Sequence, residues 1–484
     1  VVEVDKRQPN LGLDPLPDID FNIRCGNTLV GYATKAELER DLSFAKDILE
    51  ELANQELKQK LEDEMDKVAR TYDIFKHIQL TQGDDLATFK RAKADLKERL
   101  AALNELLNRR LFAATVGQNA DYNAWLASHQ PFHWLAEFYE IINGNGGFDV
   151  IIGNPPYVEY NKKVQGIAVS DIYKLNGYKT LNCGNLYAYV MERSKNISQQ
   201  RIGLVVPISF CTTPRMQPIS KTYSDGELWV SNYCVFPQTL FDGIHQRLSI
   251  VLYENKGTGN VFTSKYLKWN VQERGHLFKS IEYALAGIGY LGLYEKVGNP
   301  TLRVITTKYY SFKSTAANIQ CKKSDNCLYY KNTGINNWII VSNYAPDCFI
   351  NGIKTPSSRE THFYTLSSHE AAIVGSIACS SLFYLVYCAN SNCRDFNPID
   401  ISSIRIPRID DKDTVVGLYE RLNMNYSMNS YMQIRIQKQT GEVRIQSFRP
   451  RLSKPIIDEI DKVLAKHYGF TEEELDFIIN YDIK

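Results

Sequence analysis

The stretch "GGFDVIIGNPPYVEY", residues 146–160, decides how the rest of the chain reads. A glycine pair leads into the apolar run Phe148–Ile152, and the chain then stops at Gly153-Asn154-Pro155-Pro156-Tyr157. Two successive prolines cannot continue a central strand, because each lacks a backbone N–H and holds φ near −65°. A plain turn would account for the prolines but not for the amide and the aromatic ring beside them. In open α/β sheets, ligands bind beyond the carboxyl ends of strands, which is where this tip falls.

The residue types suit a planar amine of low nucleophilicity, such as the N6 of adenine. Two acceptors aimed at its two N–H bonds favour a pyramidal nitrogen and expose its lone pair. The Asn154 amide oxygen and the Pro155 carbonyl provide that pair, and the prolines hold it preorganised. Tyr157 offers a flat face to a base taken out of its stack.

Upstream, "PDIDFNIRCGNTLVG" (17–31) reads as a short strand, Phe21–Cys25, closed by a Gly-Asn turn. Thr34 and Glu37 form a capping box, and apolar residues recur at helical spacing from Leu38 onward. With a break at "TQGDD" (81–85), residues 35–112 read as a helical hairpin, partly coiled-coil-like. Its plain role is a structural arm; gripping DNA or a partner is the other.

Downstream, "GNLYAYVMERSKNI" (184–197) reads as a helix and "RIGLVVPISF" (201–210) as a strand apolar on both faces. A helix and strand follow around 216–236, and "HQRLSIVLYEN" (245–255) is a strand again. Alternating helices and two-sided apolar strands predict an α/β domain with a largely parallel sheet. After about residue 265 the texture becomes short aromatic-rich strands and turns. "HEAAIVGSIACSSLFYLVYCAN" reads as a helix with a continuation. "SYMQIRIQKQTGEVRIQSF" (430–448) alternates as a β-hairpin turning at "KQTGE". The end is helical, with Ser453 as cap of one helix and Thr471/Glu474 as the capping box of another.

Composition bounds these readings. The 484 residues suffice for two or three domains. The formal net charge of +1 carries no global field for a polyanion, so a nucleic-acid surface must be a local patch. The ten cysteines include no CxxC; the pairs Cys321/Cys327 and Cys388/Cys393 lack zinc spacing, and scattered thiols suit a reducing cytoplasm. No metal site is expected. No apolar run approaches the ~20 residues of a membrane span, so no membrane partner is expected.

"GGFDVIIGNPPYV" resembles motif IV of the amino-methyltransferases. "NIRCGNTL" resembles their segment that contacts the adenine of S-adenosylmethionine. "GNLYAYVMERS" with "RIGLVVP" resembles the next helix and strand, and "VFPQTLFDGIHQRLSIVLYE" resembles the element near the target base. The terminal "IDEIDKVLAKHYGFTEEELDFIINYDIK" resembles the end of type IIG restriction–modification adenine methylases. The resemblance implies a Rossmann-like methyltransferase sheet over residues 1–265, with the helical insertion at 35–112. It implies an α+β target-recognition domain with C-terminal helices over 266–484.

The resemblance further implies N6 methylation of adenine in duplex DNA, with S-adenosylmethionine as donor. Asn154, Pro155, Pro156 and Tyr157 would be the catalytic group. Asn27, Thr28 and Val190 would face the cofactor. The family usually has Asp at the place of Asn27, and an Asn hydrogen bond lacks charge assistance. Val190 stands where relatives often carry Phe. Phe241, or else Phe236, would form the second face of a base sandwich with Tyr157. The family's glycine-rich cofactor loop should precede residue 17 and is absent, so the chain reads as the C-terminal portion of a larger protein. These 484 residues alone are then expected to bind the donor weakly or not at all. A nuclease domain would lie further upstream.

For duplex DNA the expected contacts are Arg435, Lys438, Arg444, Arg449, Arg451 and Lys454, set against one acid, Glu442. Lys322/Lys323, Lys354 and Arg359 are weaker candidates. Two other readings stand beside this one. The chain could be a catalytically silent DNA-specificity module. NPPY also serves enzymes that methylate a protein glutamine amide or an RNA base. The more than 200 residues after residue 265 favour duplex DNA, since those enzymes are compact.

Overall fold

A computed structural model of the chain describes residues 7, 21–81, 86–116, 120–333 and 338–481. The chain divides into two compact units, 1–204 and 205–484. The change of texture at residue 265 thus falls inside the second unit. Residues 17–20 and most of the "TQGDD" break lie outside the described residues.

In the first unit, helix α1 (Lys35–Leu42) begins at Thr34, whose side chain accepts from the Glu37 N–H. Helices α2 (Ile48–Thr81) and α3 (Leu86–Thr115) pack side by side. Leu61, Met65 and Val68 of α2 and Leu96, Leu100, Leu103 and Leu107 of α3 are buried at alternating spacings of three and four. That seam is what a coiled-coil-like hairpin requires. Helix α4 (Tyr122–His129), capped by Asp121, and the short α5 (Trp134–Glu137) return the chain to strand β1 (Phe148–Gly153). Helices α6 (Val169–Ile172) and α7 (Leu186–Ile197) follow. Strand β2 (Ser198–Pro207) then pairs in parallel with β1, placing Gly153 beside Leu204.

Two expectations change here. Residues 21–25 form no strand. Phe21 packs edge-on against Phe75 of α2 at 5.0 Å, and Arg24 pairs with Glu137 at 3.0 Å. Tertiary anchoring on the helical arm replaces a ladder there. Among the described residues β1 borders β2 alone and leaves Ile152 81% exposed, so it is an edge strand here rather than a central one.

In the second unit the short α8 (Ser209–Thr212) and α9 (Gln217–Thr222) precede β3 (Glu227–Tyr233), β4 (Leu248–Glu254), β5 (Val261–Leu267) and β6 (Ala284–Leu285). Their order is β4-β3-β5-β6. Strand β3 is antiparallel to β4 and parallel to β5, so the expectation of a largely parallel sheet gives way to a mixed one. Residues 234–247 join β3 to β4 without a crossover helix, a connection that an antiparallel pair allows and a parallel pair rarely does. The chain is therefore mixed α/β, sheets with helices.

After α10 (Pro300–Ser311), β7 (Gln320–Cys321), β8 (Cys327–Lys331) and β9 (Val341–Ser342) combine with β12 (Glu360–Thr365) in the order β7-β12-β8-β9. A third sheet, β11-β10-β14-β13, contains β10 (Cys348–Ile350), β11 (Ile353–Lys354), β13 (Tyr431–Gln437) and β14 (Gly441–Ser447). Helices α11 (Ser368–Cys379) and α12 (Ser381–Asn390) are bent 65° at Ser380 and lie almost wholly in the core. They need a buried cap: Asp461 accepts from the Ser381 and Leu382 N–H groups at 3.2 Å each. Among the described residues no single helix is long and apolar enough to cross a membrane.

Helices α13 (Pro398–Ser402), α14 (Lys412–Met428), α15 (Pro450–Tyr468) and α16 (Glu472–Ile479) complete the unit. The Thr471/Glu474 capping box is present. Ser453 is not a cap: α15 starts at Pro450, a residue suited to the first helical turn. Ser453 lies buried and donates to Asn425 at 2.8 Å instead.

Candidate functional site

Strand β1 delivers Asn154, Pro155, Pro156 and Tyr157 at its carboxyl end. Pro155 is buried, Asn154 and Pro156 are exposed, and Tyr157 is half-buried. Burial pushes the Tyr157 hydroxyl up to about 12, so it stays protonated and can donate. It donates to the Asn154 side-chain oxygen at 2.5 Å. The loop after it is fastened by backbone bonds from Leu186 to the Val158 carbonyl and from Tyr160 to the Gly184 carbonyl, each 2.9 Å. The Tyr160 ring meets Tyr189 edge-on at 5.5 Å, and its hydroxyl donates to the Tyr173 carbonyl.

Burial raises the Tyr173 hydroxyl above its ordinary value, and the Asn27 side chain of the second expected element partly offsets this. Asn27 is otherwise committed locally, its amide oxygen accepting from the Leu29 N–H at 3.2 Å. The Thr28 hydroxyl accepts from the Trp134 indole at 3.1 Å. Val190 is half-buried on α7. These three residues do not by themselves form a cradle for S-adenosylmethionine, because their polar groups already have protein partners. A GxGxxG spelling does occur at Gly287–Gly292, between β6 and α10. A Cβ at Gly287 would strike Arg303, and one at Gly289 would strike Asn390. Those glycines make room for side chains, not for a phosphate.

The helix after the tip carries charged residues that the sequence reading passed over. Glu192 of α7 accepts from the Lys179 and Thr180 N–H groups and from the Thr180 hydroxyl at 2.9, 3.0 and 2.7 Å. Arg193 gives Glu37 two bonds, at 2.8 and 2.7 Å, and also bonds Tyr178. Both side chains are buried. The available signal was two adjacent charges directly after the apolar run Leu186–Met191 of this helix. A cleft of about 1020 Å³ opens beside them, lined by Tyr32, Glu37, Trp125, Tyr178 and Arg193 among others. Residues 154–157 are not part of its wall.

In the second unit, Phe236 is exposed and Phe241 half-buried, with the Phe241 carbonyl accepting from the Thr239 hydroxyl. The basic set is clustered by the β13–β14 hairpin and the start of α15. Arg435, Lys438, Arg444, Arg449 and Arg451 are exposed. Arg444 is paired with Glu442 at 2.7 Å, and the Arg449 guanidinium lies 4.8 Å over the Tyr431 ring. Lys454 is turned away, bonding Asp458 and the Ile479 carbonyl. Among the described residues no group of three His, Cys, Asp or Glu is placed to hold a metal.

Comparison with known proteins bears on the family. Residues 34–225 match the Eco57I restriction-modification methylase family. The resemblance read from the NPPY stretch and its flanks therefore holds at the level of restriction–modification methylases. A protein of Methanocaldococcus jannaschii described as a type II restriction enzyme and methyltransferase is 24% identical over 276 residues. The match takes in 50% of this chain and 22% of that protein, so this chain spans about a fifth of its relative. Among solved structures, the type IIL restriction–modification enzyme MmeI in complex with DNA aligns over 80% of this chain and 64% of its own, at 10% identity and a TM-score of 0.36. A nuclease-deletion mutant of the type ISP enzyme LlaGI with a DNA substrate mimic aligns over 74% and 51%, at 9% identity and a TM-score of 0.34.

Proposed function

We propose that this chain is the amine-handling and DNA-reading part of a restriction–modification methyltransferase acting on N6 of adenine in duplex DNA. The observation that carries the reading is the Asn154–Tyr157 tip at the carboxyl end of β1, inside the segment that matches the methylase family. A flipped adenine stacks on the Tyr157 ring. Its amino group donates to the Asn154 side-chain oxygen and to the Pro155 carbonyl. Both acceptors draw the amine toward a pyramidal geometry without reorganising, since the prolines fix the backbone. The Asn154 oxygen has two lone pairs, so the amine can join or displace the Tyr157 hydroxyl.

The donor implied by the resemblance, S-adenosylmethionine, supplies an electrophilic methyl group when bound. Asn27 would offer it one remaining lone pair, and Asn27, Thr28 and Val190 would not by themselves complete its cradle. The domain reading follows: a Rossmann-like methyltransferase part to about residue 265 and a target-recognition part after it.

The test is methyl transfer to duplex DNA by the full-length protein and its Asn154→Ala variant. Loss of activity with DNA binding retained supports the assignment. Undiminished methylation by the variant sinks it, and binding without any methylation by the wild type would favour a silent specificity module.

A further inference from the structure

The hairpin of β13 and β14 presents two different faces. Residues paired across an antiparallel ladder point to the same side. One side carries Val443 and Cys348, both buried. The other carries Met432, Ile434 and Ile436, facing Gln446, Arg444 and Glu442, with Phe349 and Lys354 continuing the row onto β10 and β11. Ile434 is 57% exposed and Ile436 is 88% exposed. Strand β13 is also the edge of its sheet, where exposed isoleucines invite aggregation unless they have a use.

The tip that displays them is braced. Asn351 of the β10–β11 turn donates to the Thr440 carbonyl at 3.1 Å and accepts from the Glu442 N–H at 3.0 Å. Its own N–H donates to the Glu442 carbonyl at 2.8 Å. A Cβ at Gly441 would lie 2.5 Å from the Asn351 side chain, so the turn seats closely on it. The display is therefore preorganised. Around it, Lys354, Lys438, Arg444 and Arg451 stand against Asp347 and Glu442, while Arg435 shares the other side with Val443 and Arg449 stacks on Tyr431 of that side. An apolar row framed by excess positive charge is complementary to base edges lying between phosphate chains.

We propose that the outer face of this hairpin enters the major groove of duplex DNA, with Ile434 and Ile436 against thymine methyl groups and Lys438 and Arg444 on the flanking phosphates. The major groove admits a two-stranded ribbon, and apolar contact there reads the thymine methyl. The inference rests on the DNA-acting reading above. It adds that specificity comes in part from two isoleucines and not from the cations alone.

The experiment uses full-length protein. The methylated sequence is found by sequencing DNA modified by the wild type. Binding is then measured with that duplex, and with duplexes in which single thymines are replaced by deoxyuridine, across a salt series. The wild type is expected to lose affinity roughly tenfold at one or two of these replacements. The Ile434→Ser/Ile436→Ser variant is expected to bind about as weakly to the normal duplex, to ignore those replacements, and to keep the salt slope. Lys438→Ala is expected to lower the salt slope by about one without changing the sequence read. Circular dichroism confirms that both variants fold. The inference is overturned if the serine variant keeps wild-type affinity and sequence. It is equally overturned if that variant changes self-association in light scattering and leaves DNA binding alone, since the face then docks protein. Failure of the wild type to methylate DNA at all would remove the underlying reading instead.

Discussion

The Tyr157 hydroxyl donates to the side-chain oxygen of Asn154 at 2.5 Å, so the tip of β1 holds its own acceptor before any amine arrives. Tyr157→Phe keeps the ring and frees that oxygen. Methyl transfer by this variant should stay within about tenfold of wild type, whereas Asn154→Ala should lose roughly a hundred- to a thousandfold, as for other preorganised groups removed from a site. Tyr157→Ala loses the stacking face, worth about 1–3 kcal/mol per base, and should fall between them. Initial rates on duplex DNA decide the order.

Arg193 should matter for folding rather than for chemistry. It is buried on α7 and bridges Glu37 and Tyr178. Truncating one partner of a buried pair leaves the other charge uncompensated, at a cost of about 3–5 kcal/mol. Urea denaturation of Arg193→Ala should show a loss of that order. A change below about 1 kcal/mol would mean that water satisfies Glu37 instead.

Asp461 and Asp400 set one pH dependence of the second unit. Burial is the leading cause that raises each carboxyl to about 6, against hydrogen bonds that lower it. A folded value above the unfolded one gives stability that is present below the unfolded value and lost as pH rises through the folded one. These two groups should therefore reduce stability progressively between about pH 4 and 6. Asp461→Asn keeps an oxygen for the Ser381 and Leu382 N–H groups and removes its share of the slope. Thermal melts from pH 4 to 7 should show a flatter curve and a higher Tm than wild type at pH 7.

His133 gives the opposite dependence in the first unit. Its Nδ1 accepts from the Tyr32 N–H at 3.0 Å, so its Nε2 carries the proton given to Asn108. Burial is the main reason its value drops to about 3, with Arg193 adding repulsion. A depressed value means stability that is present above the ordinary value near 6.5 and lost as pH falls toward 3. His133→Gln should be less stable at pH 7 yet lose less between pH 6 and 4. Equal acid sensitivity in the two proteins would show that the ring is not buried in its neutral form.

Much of this molecule was legible from periodicity and punctuation. The spacing of Leu96, Leu100, Leu103 and Leu107 announces the helical arm, because those side chains must meet a partner helix. The alternation through Tyr431–Ser447 announces the hairpin, and Thr34, Thr471 and Glu474 mark helix starts. The reading failed where a local signal met a stronger distant partner. Phe21 packs on Phe75 rather than entering a ladder, and Lys454 is drawn to Asp458 and the Ile479 carbonyl instead of facing outward.

The sequence by itself determined the end of β1. Two prolines must stop the strand, and an amide and an aromatic ring stand on either side of them. Tertiary structure alone decided which polar groups leave water and whom they meet. Asp461 caps a helix some 80 residues away, and Glu37 both turns back on the Ala33 N–H and holds Arg193 from 156 residues further on. The physical reason is that burying a charge is costly unless a partner is supplied at the same point in space. No local pattern of residues encodes where that point will be.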